Sequence, residues 1–311
     1  MKVNLEPGKY IIAVSGGVDS VSLLHLLVQM QARCKQELES SDGSKQLLTD
    51  FSFLVAHYDH GIREDSAKDK QLVQKLSTQY GLPFVFAEGK LGKAASEETA
   101  RSARYAFLRD AQKQYDARAI ITAHHQDDVL ETAILNLLRG TGRKGLTSLK
   151  SGDGLLRPLL HVSKSDIQTY AAKQHLTWRE DSTNQETRYL RNYIRQNILP
   201  KFSSEHKKQL TDIVERSRSV NDSLDIGLAD FLCTQANAIN RQKFILLPHA
   251  IAKEVLASWL RANNLREFNR FMLERLVIAG KVGQPNTKVN VYGKYFIELK
   301  KDHLALTRFE R

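Results

Sequence analysis

The segment Tyr10-Ile11-Ile12-Ala13-Val14-Ser15-Gly16-Gly17-Val18-Asp19-Ser20 runs from an apolar stretch through two glycines into a helical pattern. YIIAV (10–14) reads as a short buried strand. From Val18 to about Met30, apolar residues at Val21, Leu24, Leu27 and Val28 recur at the spacing of one helix face. Between them the glycines let the backbone turn tightly and come close to a ligand. Ser15 and Ser20 add hydroxyls, and free N–H groups at a helix start favour an anion, so phosphate is the expected guest. For Gly-Gly alone, a tight strand-to-helix turn with a serine cap is an equal reading; the full hexapeptide at this position is more specific. No GxxxxGK[ST] loop occurs in the chain.

Outward from this turn the same grammar repeats. Strands are predicted at 51–57 (FSFLVAH), 83–87 (PFVFA) and 119–123 (AIITA), and helices at 66–80, 95–115 and 127–139. Strand alternating with helix implies a parallel sheet covered on both faces, an α/β doubly wound (Rossmann-like) class. Such sheets bind at the carboxyl ends of their strands, which directs attention to 15–20, 57–63 and 124–131. Residues 35–50 are polar and are expected to form an exposed loop. After about 210 the pattern turns mostly helical and ends in short alternating strands at 289–291, 295–299 and 303–307. Two domains are expected, 1–210 and a smaller, mainly helical 211–311.

The chain has 311 residues, with 46 Lys+Arg against 35 Asp+Glu, a net charge of +11. Residues 201–311 hold 19 basic and 12 acidic side chains, so +7 sits in the last third. A positive field favours a polyanion, nucleic acid before an anionic membrane. At 41% hydrophobic the chain is too apolar for a disordered protein. Its two cysteines, Cys34 and Cys233, form no CxxC motif, and a reducing cytoplasm is the default compartment. Met1 to Pro7 offers no apolar core for a signal peptide, and no run approaches a membrane span.

Other segments carry chemistry-bearing residues. His124-His125-Gln126-Asp127-Asp128-Val129-Leu130-Glu131 opens a helix after a strand, and Asp127 and Asp128 share neighbouring helix positions with Glu131. Acids in a first turn offset the helix dipole, which is the plain reading. Three acids near a phosphate are also what Mg²⁺ selects. A zinc site is the weaker reading because the histidines are adjacent and no Cys is near. His57 to Arg63 (HYDHGIR) leaves the second strand and reads alone as a polar turn. Arg101 and Arg104 share a helix face, where Glu97 makes a surface ion pair with Arg101 sufficient explanation. RPLL (157–160) reads as a buried strand end or turn, and REDSTN (179–184) as a polar turn. Arg188, Arg191 and Arg195 recur at helical spacing, either as a solvated basic face or as phosphate contacts. GTGRKG (140–145) is a formal GxGxxG, but it follows a helix, so a C-cap turn is preferred to a dinucleotide site.

Together SGGVDS, HYDHGIR, ARSARY, AHHQDDVLET with NLLRGTG, RPLL, EDSTN and RNYIR resemble, in order, the tRNA(Ile)-lysidine synthetase subfamily of the PP-loop ATP pyrophosphatases. The resemblance covers about residues 8–200. Ile62 stands where the family has Leu, and DSTN where it commonly has D-Pro-Ser-Asn. Many members carry a further C-terminal domain, and this chain is short for it.

The resemblance implies a reaction on cytidine 34 of a tRNA(Ile) with a CAU anticodon. The cytosine 2-oxygen takes AMP from ATP, pyrophosphate leaves, and free L-lysine displaces AMP. It implies that Ser15, Gly16, Gly17, Val18, Asp19 and Ser20, with His57 and His124, bind ATP. Asp19 and Asp128 are the candidate Mg²⁺ ligands. Asp128 and Glu131 match the family's acidic pair, for Mg²⁺ or the lysine ammonium and its proton. Arg101 and Arg104 would steady developing charge or the flipped base, Arg63 would contact substrate or tRNA, and Arg191 and Arg195 are candidates for tRNA phosphate or active-site contact. The basic last third would dock tRNA through phosphates. A homodimer stays open. The rivals are a PP-loop tRNA thiolase, which ordinarily needs paired cysteines, an amide-forming PP-loop synthetase, which needs an ammonia source, and a non-catalytic ATP-binding RNA-binding protein.

Overall fold

The computed structural model describes residues 1, 3–39, 51–61, 66–89, 97–141, 143–152, 154–179, 190–235, 238–265 and 268–308. The expectations for Ile62, Arg63, residues 180–184 and Arg188 lie outside them, as does the side chain of Glu97. The chain divides into two compact units, Met1–Glu215 and Arg216–Arg311.

The first unit is built on β1 (Gly8–Ala13), α1 (Val18–Glu39), β2 (Phe51–Asp59), α2 (Ser66–Gln79), β3 (Phe84–Glu88), α3 (Glu97–Gln114), β4 (Ala119–Ile121) and α4 (Gln126–Leu138). It continues with α5 (Arg143–Leu146), β5 (Leu155–Leu156), α6 (Lys164–Lys173) and α7 (Leu190–Tyr193). A π-helical turn over Ile194–Ile198 follows. The five strands form one parallel sheet in the order β3-β2-β1-β4-β5. The chain lays down β1, β2 and β3 in one direction, then returns to place β4 on the other side of β1. Strand order therefore reverses between β1 and β4, which opens a crevice at their carboxyl ends.

Both faces of the sheet are buried, as continuous apolar strands require. Tyr10 and Ile12 point to one face, where Leu23, Leu24 and Leu27 of α1 and Ile167 of α6 join Phe53, Val55 and Ile121. Ile11 points to the other, among Leu54, Ala56, Ile120 and Leu108 and Ala111 of α3. That period of two in β1 registers Ile12 against Val55 and Ile121.

Two expectations need correcting. The first helix runs to Glu39, nine residues beyond the predicted end, so 35–39 of the expected loop are helical. The polar Lys35 to Glu39 stretch consists largely of good helix formers, and its lack of an apolar face hid it. β5 (Leu155–Leu156) lies just before the RPLL segment (157–160) expected as a strand end or turn and is missing from the predicted strands; two residues give no periodicity, and pairing with β4 decides it. Behind α4, Gly140 adopts φ +65° and closes the helix, so GTGRKG begins as a C-cap turn.

In the second unit α8 (Ser204–Leu232), which begins in the first unit, is followed by β6 (Cys233–Gln235), β7 (Ala238–Asn240), α9 (Arg241–Leu246), α10 (His249–Ala262), α11 (Arg270–Val282), β8 (Thr287–Tyr292), β9 (Tyr295–Leu299) and β10 (His303–Arg308). The five strands pair antiparallel in the order β6-β7-β10-β9-β8. Their core includes Phe244, Leu256, Trp259, Leu260, Val277, Ile297 and Leu304. Among the described residues no helix is long and apolar enough to cross a membrane.

Candidate active site

A cavity of about 370 Å³ lies at the carboxyl ends of β1, β2 and β4, lined by Ser15, Asp19, Ser20, His57, Asp59, Asp69, Arg104, His124 and Asp128, among others. It occupies the crevice that the strand order predicts. The turn after β1 is tightly wound. Gly16 holds φ +94°, a conformation that side-chain-bearing residues rarely adopt. The Ser15 and Ser20 hydroxyls lie 3.1 Å apart, and Ser20 donates to the Gly17 carbonyl at 3.0 Å. From outside, the Arg179 backbone N–H donates to the Gly16 carbonyl at 3.0 Å, while its Nε donates to Asp69 at 2.6 Å. Residue 179, read from sequence as the start of a polar turn, therefore ties the glycine turn to α2.

Three helix N-termini meet here. α1 brings Asp19 and α4 brings Asp128. α6 brings Lys164, whose Nζ donates to both Asp19 oxygens at 2.6 and 2.7 Å. His125 Nε2 stands between the two aspartates, 3.7 Å from Asp19 and 3.6 Å from Asp128. The Asp128 carboxylate also accepts from the His125 backbone N–H at 2.9 Å, a helix cap. Burial works to raise the Asp128 carboxyl, but His125, that N–H and Arg195 more than offset it, and the net shift is downward. It thus remains a carboxylate.

Two histidines are held neutral. Burial pulls His124 down to about 3, and Arg157, Arg104 and Arg101 add to that against Asp128. Its Nδ1 lies 2.9 Å from the Thr122 hydroxyl. Burial likewise lowers His57. His57 Nδ1 donates to the Val14 carbonyl at 2.8 Å, which fixes the tautomer and leaves Nε2 an acceptor.

Arg101 and Arg104 flank the Tyr105 ring, 4.8 and 5.4 Å from its centroid. Burial reduces the basicity of Arg104, and Arg101 and Arg191 reduce it further despite Tyr105. Arg157 of the RPLL segment joins them, shifted the same way by burial first and with Arg101 opposing its charge. These cations cluster, and Arg104 among them lines the cavity, an arrangement suited to an anion.

Glu131, Arg191 and Arg195 come together behind the cavity. Glu131 is fully buried and is absent from the cavity lining. Arg195 reaches it through Nε at 2.5 Å and Nη2 at 2.8 Å, and Arg191 through Nε at 3.3 Å. Arg195 Nη2 also lies 3.3 Å from Asp128. The helical spacing of the arginines was legible, but it aims them inward at α4. Lys207 and Asp127 pair similarly at 2.9 Å, which removes Asp127 from the cavity side.

Sequence reasoning missed Lys164. Its signal was a cation at the first position of a helix capped by Ser163, where the helix dipole disfavours positive charge. Among the described residues no cluster of three or more His, Cys, Asp or Glu is arranged to hold a metal alone. Mg²⁺ needs one or two carboxylates when phosphates supply the rest, and Asp19 and Asp128 fit that demand.

Residues 1–202 match the PP-loop domain family. This chain belongs to the PP-loop family. A tRNA(Ile)-lysidine synthase of Thermosipho africanus is 29% identical over 98% of this chain and 69% of its own length. One from Thermotoga maritima is 34% identical over 71% of this chain and 51% of its own. One from Lactiplantibacillus plantarum is 28% identical over 89% and 62%. The chain spans half to about two thirds of the length of these relatives.

Proposed function

We propose that this chain is an ATP-dependent C–N ligase that converts cytidine 34 of a CAU-anticodon tRNA(Ile) to lysidine. The observation that carries the proposal is the cavity at the β1/β4 crevice. It joins the PP-loop turn to Asp128 and to the Arg104 side chain, near which Arg101 and Arg157 lie. The similarity to lysidine synthases over most of the chain points the same way.

The chemistry needs two steps. The cytosine 2-oxygen attacks the α-phosphorus of ATP, and the α–β bond breaks to release pyrophosphate. An amine of L-lysine then attacks C2, the C2–O bond breaks, AMP leaves with that oxygen, and the amine gives up a proton. Ser15, Ser20 and the backbone of the glycine turn bind the outer phosphates at the start of α1. His57, with Nε2 open as an acceptor, and His124 line the nucleotide side. Bound Mg²⁺ would neutralise phosphate charge, held by Asp19 and Asp128. Arg104, with Arg101 and Arg157 behind it, stabilises charge on the adenylated base. Asp128 attracts the lysine ammonium and takes its proton. Glu131 acts by fixing Arg195 and Arg191. An anticodon base is already unpaired, so extruding it costs little. Unit 2, with most of the excess charge, docks the tRNA body.

The thiolase rival gains no support from the cysteines. Cys34 lies half-buried on α1, and Cys233 lies in β6 of the other unit. The decisive experiment incubates the protein with ATP, Mg²⁺, radiolabelled lysine and total tRNA. Lysine-dependent label in RNA with AMP release is expected. ATP cleaved to ADP, or no labelled RNA, defeats the proposal.

A further inference from the structure

Two groups of arginines stand near the cavity, and they are held by different means. Arg191 and Arg195 are neutralised by the buried carboxylate of Glu131. Arg101 and Arg104 meet an aromatic ring instead. The Tyr105 ring has the Arg101 guanidinium 4.8 Å from its centroid and the Arg104 guanidinium 5.4 Å from it, and Arg157 approaches the same residue. Tyr105 is itself anchored, packed on the core that includes Leu108, Ala111 and Ile120. Its phenolic oxygen is buried and has no partner in hydrogen-bond geometry among the described residues, so the ring is what the arginines use.

That choice of partner decides where the charge goes. A carboxylate holds a guanidinium by cancelling it. A neutral ring attracts the cation through its quadrupole and leaves the charge whole. Among the three arginines only Arg104 lines the cavity, and burial, Arg101 and Arg191 all work against its charge. We propose that Tyr105 is the positioning residue of Arg104: its ring holds the guanidinium at the cavity without neutralising it, and so keeps a full positive charge for the adenylated base. The inference rests on the ligase reading above, in which Arg104 stabilises that base.

Steady-state pyrophosphate release by the full chain, with ATP, Mg²⁺, lysine and a saturating CAU-anticodon tRNA(Ile) transcript, tests it. Tyr105→Leu should lower kcat about fivefold to thirtyfold, the worth of a desolvated cation–π contact, with KM for ATP within about twofold. Tyr105→Phe, which keeps the ring, should recover most of the rate. Fluorinated phenylalanines at position 105 keep the shape and weaken the quadrupole, so kcat should fall stepwise with each added fluorine. Added to Arg104→Gln, Tyr105→Leu should cost no more than about twofold further, because the group it acts through is gone. A flat fluorine series, a loss confined to KM, or an equal loss without Arg104 refutes the inference while the ligase reading stands. If the unaltered protein releases no pyrophosphate with tRNA, the inference falls together with that reading. A thermal melt identifies any variant that has lost its fold, and the fluorine series decides the matter if Tyr105→Leu is one of them.

Discussion

Replacing Glu131 by Gln should destabilise the first unit by about 2–3 kcal/mol, and the geometry fixes both the sign and the size. The side chain has no solvent exposure, and Arg195 grips it with two donors at 2.5 and 2.8 Å. A third donor comes from Arg191 at 3.3 Å. Glutamine keeps the shape but removes the charge and turns an amide N–H₂ toward guanidinium donors. Breaking a buried pair by removing one partner costs about 3–5 kcal/mol. The Arg195 and Arg191 side chains are 37% and 23% exposed, so both cations recover part of their hydration. Arg195 also keeps Asp128 at 3.3 Å. Those two facts place the cost toward the lower end.

For a unit of this size such a loss lowers the melting midpoint by about 5–10 °C. The assay is available because each unit has one tryptophan, Trp178 in the first and Trp259 in the second. In a Trp259→Phe background, urea and thermal melts followed by Trp178 fluorescence report the first unit alone. Lysine transfer should fall too, because Arg195 loses its anchor beside Asp128. A change below about 0.5 kcal/mol, the size of an ordinary surface substitution, would refute the reasoning. If transfer were abolished at unchanged stability, Glu131 would be meeting substrate rather than its arginines.

Three further outcomes are expected. Gly16→Ala forces φ +94° on a residue with a Cβ, at about 1–3 kcal/mol, and should weaken pyrophosphate binding; the nearest atom to the new methyl is 3.6 Å away, so intact binding would show that strain does not shape the turn. His124 titrates near 3 when folded and near 6.5 when unfolded, so its contribution to stability is complete above pH 6.5 and drains away as pH falls toward 3. Between pH 7.5 and 5.5 the urea-derived stability should drop by about 1 kcal/mol more in the unaltered protein than in His124→Asn, and parallel curves would contradict the buried, neutral imidazole. Replacing the exposed Lys288, Lys294 and Lys301 by Gln should weaken tRNA binding and flatten its salt dependence by about two units of slope, whereas identical slopes would make the charge of the second unit incidental.

The first four strands of the parallel sheet were legible because each is a largely apolar run closed by polar or glycine punctuation. Residues 51–57 and 295–299 announce themselves, and YIIAV before SGGVDS fixes where the ligand end must be. What escaped was whatever depends on pairing across sequence. Nothing local marks Lys164 as the partner of Asp19, 145 positions earlier, except the awkwardness of a lysine at a helix start. Arg191 and Arg195 show the same limit. Helical spacing says that they share a face, but only the buried Glu131 says which way that face looks. Arg157 was visible inside RPLL, yet its membership of the arginine cluster depends on β5 bringing it beside β4 and α3.

The placement of charge explains why this end of the sheet is suited to phosphate chemistry. The starts of α1, α4 and α6 converge, and each carries partial positive charge from its free N–H groups. An acid answers each one: Asp19, Asp128 and Asp166 all lie in first turns. The site is thus neutralised by groups that can change partners. Asp19 holds Lys164, Asp128 holds His125 and Arg195, and neither aspartate is sealed away as Glu131 is. A nucleotide need not displace a buried ion pair to enter. Pairing at Glu131 therefore differs in kind from pairing at Asp19: the first, sealed from solvent, fixes Arg191 and Arg195 against α4, and the second lines the cavity.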